Sequence, residues 1–314
     1  RNVGCVVENV GTVLNIADAL EGKPVDEKFL SITGAVETPV MCHAPIGTPI
    51  TEVLKKAKLL VNDYVVILGG PMMGKMQKTR EEIENAVVTK TTGNLLVLPK
   101  NHYLVKRAAM SVERMAAPAC LQCRACTDLC PRHLLGHNVQ PHMIMRTIWR
   151  QKSITDPAEF ERAFGSAANC SSCGTCEMFS CPMGLSPRKM NDYAKGLLRE
   201  RGIQPEKNQH PQASDMLEHR RIPTGRLIAR LGLDEYVFHG LPELFEVEPE
   251  EVFIPLSQHI GKPAVPVVTA GDAVKKDDLI AGSAEGLSAN IHTGFDGVVK
   301  EVTPKGIRIS RREA

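Results

Sequence analysis

Cysteine carries the chemistry in this sequence. Eight of the ten cysteines of the 314-residue chain fall in two short runs, CLQCRACTDLC at 120–130 and CSSCGTCEMFSC at 170–181, each followed at once by proline. The first run, C-x2-C-x2-C-x3-C-P, supplies Cys120, Cys123, Cys126 and Cys130; the second, C-x2-C-x2-C-x4-C-P, supplies Cys170, Cys173, Cys176 and Cys181. Three thiolates at a spacing of three wrap one turn of loop around a face of an iron–sulfur cubane, and a fourth closes it. In two-cluster ferredoxins that fourth cysteine serves the other cluster. The spacing therefore predicts two [4Fe–4S] clusters, one on Cys120, Cys123, Cys126 and Cys181 and the other on Cys170, Cys173, Cys176 and Cys130. Small residues between the ligands (RA, SS, GT) leave backbone N–H groups free to bond the cluster sulfurs, which raises the reduction potential. Two clusters in one small domain serve to pass single electrons.

Zinc is the main rival, since it also takes four cysteines, and a zinc-stabilised interaction scaffold is the corresponding function. Zinc sites usually pair two C-x2-C knuckles across a spacer, which a three-cysteine run closed by C-P does not do. A disulfide framework is disfavoured because no secretory signal opens the chain. The two remaining cysteines, Cys5 in VGCVV and Cys42 in PVMCHAP, read as buried, inert thiols. LGGPMMGKM at 68–76 follows a strand but lacks the spacing of a phosphate loop, and reads as a tight turn with its methionines packed inward. RHLLGH at 132–137 contains H-x-x-G, part of a cobalt-ligating motif, but Pro131 occupies the aspartate position and a helix after the cysteine loop is the better reading. No nucleophile elbow or kinase signature is present.

The elements that must position these thiols fall into zones. Residues 1–23 read as a buried strand running into a helix. A fold rarely starts inside a core element, so a preceding part of a longer protein is expected. Residues 28–75 alternate short strands with one helix, capped by Thr48 with Pro49 at its first position and apolar on the face of Ile50, Val53, Leu54 and Ala57. NLLVLP at 94–99 reads as a further strand. From about 105 to 202 the pattern is helical, ending in SPRKMNDYAKGLLRERG with Ser186 as cap, a stripe of Met190, Tyr193, Ala194 and Leu197, and Gly202 as its stop. Residues 203–222 are polar and read as a linker or exposed extension, and 251–314 alternate short β segments with turns. The expected fold is therefore multidomain α+β. Charge is nearly balanced, 38 basic against 36 acidic residues, and aromatics make up 4% with the single Trp149. This gives no electrostatic or stacking reason to propose a nucleic-acid partner. No apolar run approaches the roughly 18 residues of a membrane span, so a cytoplasmic protein is expected.

ENVGTVLNIADALEGKP, ITGAV, GGPMMG, VTKTTGNLLVLP and IPTGRLIARLGLDEY, together with the double cysteine motif, resemble the RnfC-like and complex I 51-kDa-like flavoprotein group. Residues 252–302 resemble its barrel-sandwich domain. RnfC proteins of membrane-bound ferredoxin:NAD oxidoreductases carry that domain at the N-terminus, whereas the group's cobalamin reductases carry it at the C-terminus, as here. The resemblance implies the end of a truncated flavin-binding α/β domain at 1–24 and a β-grasp soluble-ligand-binding domain at 25–100. It implies an α-helical diferredoxin-like domain at 101–202, a linker and helix at 203–248, and a lipoyl-like barrel-sandwich at 249–314. It further implies NADH as donor, FMN as the converter from two electrons to one, and cobalamin as acceptor. Residence in a bacterial microcompartment for propanediol utilisation follows, with a corrinoid adenosyltransferase or a shell protein as partner. Asn9 and Thr12 match a turn near FMN in the group. The Gly-rich flavin and NADH loop is missing from these residues, so FMN is expected on the longer parent, with this chain acting as an electron relay. No modifiable lysine stands at the GFDGVV turn, around Asp296 and Gly297, so a docking role is expected there.

Overall fold

The structure is a computed structural model that describes residues 4–109, 119–206, 208 and 210–311. It divides into two compact units, one of residues 1–70, 74–100 and 238–314, the other of residues 71–73 and 101–237.

Six strands of the first unit form one sheet: β1 (Glu27–Gly34), β2 (Val40–Pro45), β3 (Tyr64–Leu68), β4 (Lys75–Gln77), β5 (Asn94–Pro99) and β6 (Glu243–Glu246). Their order is β4-β3-β5-β1-β2-β6. β1 runs antiparallel to β2 and parallel to β5, while β3 is antiparallel to both β5 and β4. Alternation places Leu30 and Ile32 of β1 inside, at 1% and 0% exposure. The run Leu95–Leu98 of β5 is buried throughout, as a central strand with both faces covered must be. β6 adds to β2 in parallel from within the stretch read as a linker. Four residues with Leu244 exposed carry no alternation strong enough to announce a strand.

The predicted helix face is buried at Ile50, Val53, Leu54 and Ala57. The helix itself is the short Ile50–Leu54, with Pro49 rather than Thr48 at the cap. Thr48 is fully buried, and its hydroxyl instead donates to the Pro45 carbonyl at 2.7 Å. A second short helix, Arg80–Glu84, carries a complete capping box between Thr79 and Glu82. Pro71–Gly74 is a turn as expected, but Met73 points outward at 63% exposure.

The opening residues depart from expectation. Residues 5–9 hold no regular structure, and the helix Val10–Leu20 buries none of its residues. Val10, Val13, Ile16 and Leu20 are all more than half exposed, so the hydropathy that suggested a core element marks a surface. Cys5 is accordingly exposed, whereas Cys42 is buried as predicted, with burial pushing its thiol up to about 11.

The rest of the first unit is two small stacked sheets. They are built from β7 (Glu251–Pro255), β8 (Val265–Pro266), β9 (Ala273–Val274), β10 (Leu279–Gly282), β11 (Ile291–His292), β12 (Gly297–Val302) and β13 (Gly306–Ser310), in orders β11-β10-β8 and β7-β13-β12-β9. Their core gathers Val252, Ile254, Ile280, Ile291, Val299, Ile307 and Ile309, with Ile46 from just after β2.

The second unit is helical around Ile144, Met145, Phe160, Phe164, Leu185, Met190, Ala194 and Leu198. Asp156 caps the helix Pro157–Phe164 by accepting from Glu159 N at 2.7 Å. Phe160 and Phe164, one turn apart, pack with ring centroids 4.6 Å apart, and Arg201 stacks 3.7 Å over Phe160. The helix Pro187–Glu200 begins after Ser186 as predicted, without a side-chain cap bond. Its inward stripe is Met190, Ala194 and Leu198, while Tyr193 is half exposed. Residues 203–222 are no free linker. Ser214 N donates to the Leu134 carbonyl, and Gly136, at φ +89°, lies so close to the Gln212 backbone that a Cβ would collide with it. A polar sequence can pack this way because its bonds run through the main chain.

Candidate iron–sulfur site

The two cysteine runs adopt the same backbone path. Positive φ occurs at the second residue after the first cysteine of each run, Gln122 (φ 55°) and Ser172 (φ 56°), and again two residues later, at Arg124 (φ 64°) and Gly174 (φ 84°). Among the described residues only one other non-glycine, Asp277, has positive φ. The left-handed conformation costs an L-residue roughly 1–2 kcal/mol, and strain of this kind collects where geometry serves a site. After each loop the chain turns helical, at Ala125–Asp128 in the first run and through the π-helical turn Cys176–Ser180 in the second.

The thiols gather across the runs. Cys120, Cys123, Cys126 and Cys181 line one pocket, together with Leu121, His142 and Met145. Cys120 and Cys181 pack directly against the helical core. Cys126, Cys130 and Cys176 are buried, Cys120, Cys170, Cys173 and Cys181 are half-buried, and Cys123 is exposed. Burial pushes the Cys126 thiol up to about 12, reinforced by Cys120, Cys181 and Cys123. Burial also raises Cys130; its thiol neighbours are Cys173 and Cys170 from the other run, and the backbone N–H groups of His133 and Arg132 oppose the rise. Cys176 is driven well above the ordinary thiol value by burial, then by Cys170, Cys126, Cys130 and Cys173. Cys181 thus lies near the first three cysteines and Cys130 near the second three.

Four thiols that repel one another's ionised forms need cationic iron before they can all give up their protons. The donor set fits an iron–sulfur cubane. Among the described residues no group of three or more His, Cys, Asp or Glu side chains is arranged around a single metal position. N–H donors already reach the sulfurs: Ser172 N to Cys170 Sγ, Leu185 N to Cys181 Sγ and Gln122 Nε2 to Cys120 Sγ, each at 3.3 Å.

Several supporting residues escaped the sequence reading. Lys195 donates to the Cys170 carbonyl at 2.6 Å and to Ser172 Oγ at 3.1 Å, and Ser172 Oγ donates to Asp192 at 2.5 Å, which pins the second loop to the helix Pro187–Glu200. Thr127 Oγ1 and His142 Nδ1 meet at 2.7 Å beside the first pocket, where burial holds the His142 ring below its usual pKa. The i, i+3 spacing of Asp192 and Lys195 was visible, but nothing in it pointed toward a loop twenty residues earlier. His133 and His137 lie on and just after the helix Pro131–Leu134 and join no metal-holding group. Asn9 caps the helix Val10–Leu20 by accepting from Gly11 N at 2.9 Å, and Thr12 lies exposed in its first turn; both belong to the first unit, whereas the eight thiols belong to the second.

Comparison with known proteins follows the same division. The 4Fe-4S dicluster domain family matches residues 119–186, and the RnfC barrel sandwich hybrid domain family matches residues 246–312. The chain is 42% identical to the cobalamin reductase PduS of Salmonella typhimurium and 39% identical to that of Citrobacter freundii, in each case over 99% of this chain and 68% of the relative. It is 35% identical to a component of the ion-translocating oxidoreductase complex of Salmonella newport, over 43% of this chain and 17% of that component. No described helix is long and apolar enough to cross a membrane.

Proposed function

The chain belongs to the family of the cobalamin reductase PduS, and on that premise we propose that it holds two [4Fe–4S] clusters which relay single electrons toward a corrinoid. The observation that carries the reading is the exchange of fourth thiols: Cys181 shares a pocket with Cys120, Cys123 and Cys126, while Cys130 lies among Cys170, Cys173 and Cys176. These two sets of four would be the ligands. When bound, such clusters supply one-electron redox chemistry at potentials set by charge, N–H donors and exposure. The chain's own part is to bring eight thiolates together, to aim N–H groups at their sulfurs and to keep water from Cys126, Cys130 and Cys176. Exposed Cys123 makes the first site the one open to an acceptor.

The sheet order β4-β3-β5-β1-β2, with its parallel β1–β5 pair, supports a β-grasp reading of residues 25–100. The stacked sheets of residues 251–310 support a lipoyl-like barrel-sandwich with a docking role. The exposed apolar residues of the helix Val10–Leu20 support reading residues 1–24 as the end of a flavin-binding α/β domain that brings FMN and NADH. Family membership supports cobalamin as substrate, and we extend the proposal to a microcompartment location with an adenosyltransferase or shell partner.

The test is direct. The purified chain, reconstituted under anaerobic conditions, should contain about eight iron and eight sulfide. Reduced by dithionite and freed of excess reductant by gel filtration, it should reoxidise on adding aquacobalamin, with formation of cob(II)alamin. About two zinc without sulfide would refute the clusters, and clusters that stay reduced beside cobalamin would refute the acceptor.

A further inference from the structure

Arg107 belongs to neither cysteine run. It lies in the helix Tyr103–Ala109 and is 4% exposed. Its guanidinium donates to three main-chain carbonyls: Nη1 to Gly184 at 2.8 Å, and Nη2 to Leu185 at 2.8 Å and Glu177 at 3.2 Å. Glu177 directly follows Cys176, while Gly184 and Leu185 follow Cys181 by three and four residues. Leu185 in turn gives its N–H to Cys181 Sγ. One side chain therefore clasps the arm of a second-site cysteine to the arm of a first-site cysteine. Only a planar fork with several fixed donors can hold carbonyls from both.

Charge accompanies the clasp. Glu177 is 3% exposed, and its carboxylate lies 3.9 Å from Arg107 Nη2 and 3.6 Å from Arg188 Nε. These are ion-pair rather than hydrogen-bond distances, and Glu177 Oε2, Arg107 Nε and Arg188 Nε have no hydrogen-bond partner among the described residues. Arg188 is anchored separately, by Nη1 donating to the Met72 carbonyl at 2.6 Å. Stability does not account for such a group, because well-packed apolar replacements of buried ion pairs are often neutral or better. What the group does supply is two guanidiniums against one carboxylate, an excess of positive charge beside residue 176 in a medium that screens poorly.

We propose that Arg107 is a positioning residue for both clusters and that, with Arg188 set against Glu177, it provides a buried positive charge that raises their reduction potentials. The inference rests on the cluster reading above. An added electron is attracted by that charge, so removing one guanidinium and removing the carboxylate must act in opposite directions.

The experiment is an EPR-monitored redox titration of the reconstituted chain, with iron and sulfide determined on the same samples. Arg107→Gln should make cluster reduction about tenfold harder, roughly 59 mV for a one-electron couple. Glu177→Gln should make it easier by a similar factor. Arg107→Lys keeps the charge but cannot hold three carbonyls, so it should leave the potential near the parent value while a chelator strips iron faster. Should Arg107→Gln fail to load, Arg188→Gln removes a like charge without releasing the cysteine arms and should shift the potential in the same sense. Shifts of one sign in both charge variants, or potentials within about 18 mV of the parent in both (a twofold change in the one-electron equilibrium), would overturn the proposal. A parent chain without iron and sulfide would defeat the cluster reading instead.

Discussion

Cys130→Ser probes the crossed arrangement most directly. Cys130 stands ten residues or fewer from every cysteine of its own run and forty or more from Cys170, Cys173 and Cys176. Its thiol neighbours nevertheless come from the distant run. The side chain is 8% exposed, so water cannot readily replace the lost thiolate, and the second cluster should be lost rather than left with three protein ligands. In the proposed arrangement each site holds four of the eight thiols. The reconstituted variant should therefore fall from about eight to about four iron, with matching sulfide, and its reduced EPR signal should integrate to about one spin in place of two. Cys181→Ser supplies the mirror image, taking the cluster of Cys120, Cys123 and Cys126. Its effect on iron should be milder, because Cys181 is half-buried and solvent can reach the vacated position. The two variants should retain different halves of the parent spectrum. A Cys130→Ser chain that kept the second cluster and lost the first would refute the crossing and, with it, the use of thiol proximity to assign ligands.

Phe160→Ala removes a fully buried ring that packs on Phe164 and lies under Arg201. A loss of about 3–5 kcal/mol is expected, seen as iron–sulfur absorbance bleaching about 10 °C earlier on heating the loaded chain; an unchanged midpoint would contradict the core assignment. Asp26 is 5% exposed and held up to about 7 by burial and by neighbouring Asp277. Its folded form keeps a proton that the unfolded chain releases near pH 4, so its contribution to stability is full below that value and is lost as pH rises toward 7. Urea midpoints measured between pH 4 and 8 should fall over that window, and Asp26→Asn should flatten the slope. NADH delivers an electron pair as hydride and a cluster takes one electron, so the loaded chain without flavin should be reduced by dithionite but not by NADH. Bleaching by NADH alone would show that the chain converts two-electron to one-electron transfer by itself.

The cysteine spacing determined the chemistry by itself. Ligand type and loop length are local properties, and C-x2-C-x2-C-x3-C-P states both without reference to the rest of the chain. The strands at Tyr64–Leu68 and Asn94–Pro99 were equally legible, since runs of branched apolar residues bounded by turn residues have few other uses. Prediction failed where an element's meaning depended on what covers it. The apolar residues around Val10–Leu20 read as core yet lie on a surface, and Cys5 went with them. Thr48 was a plausible cap until its burial required a nearer partner. β6 exists because β2 offers an edge, not because Glu243–Glu246 prefers a strand. Only the tertiary structure revealed Arg107, Lys195 and Asp192 as supports of the cysteine loops, because one arginine reaching carbonyls seventy residues away leaves no periodic trace. The proposed crossing of Cys130 and Cys181 lies between these cases: the motif suggested it, and the fold brings each thiol close to cysteines of the other run. A sequence records which groups can react, whereas which of them meet depends on burial, and burial is a property of the whole fold.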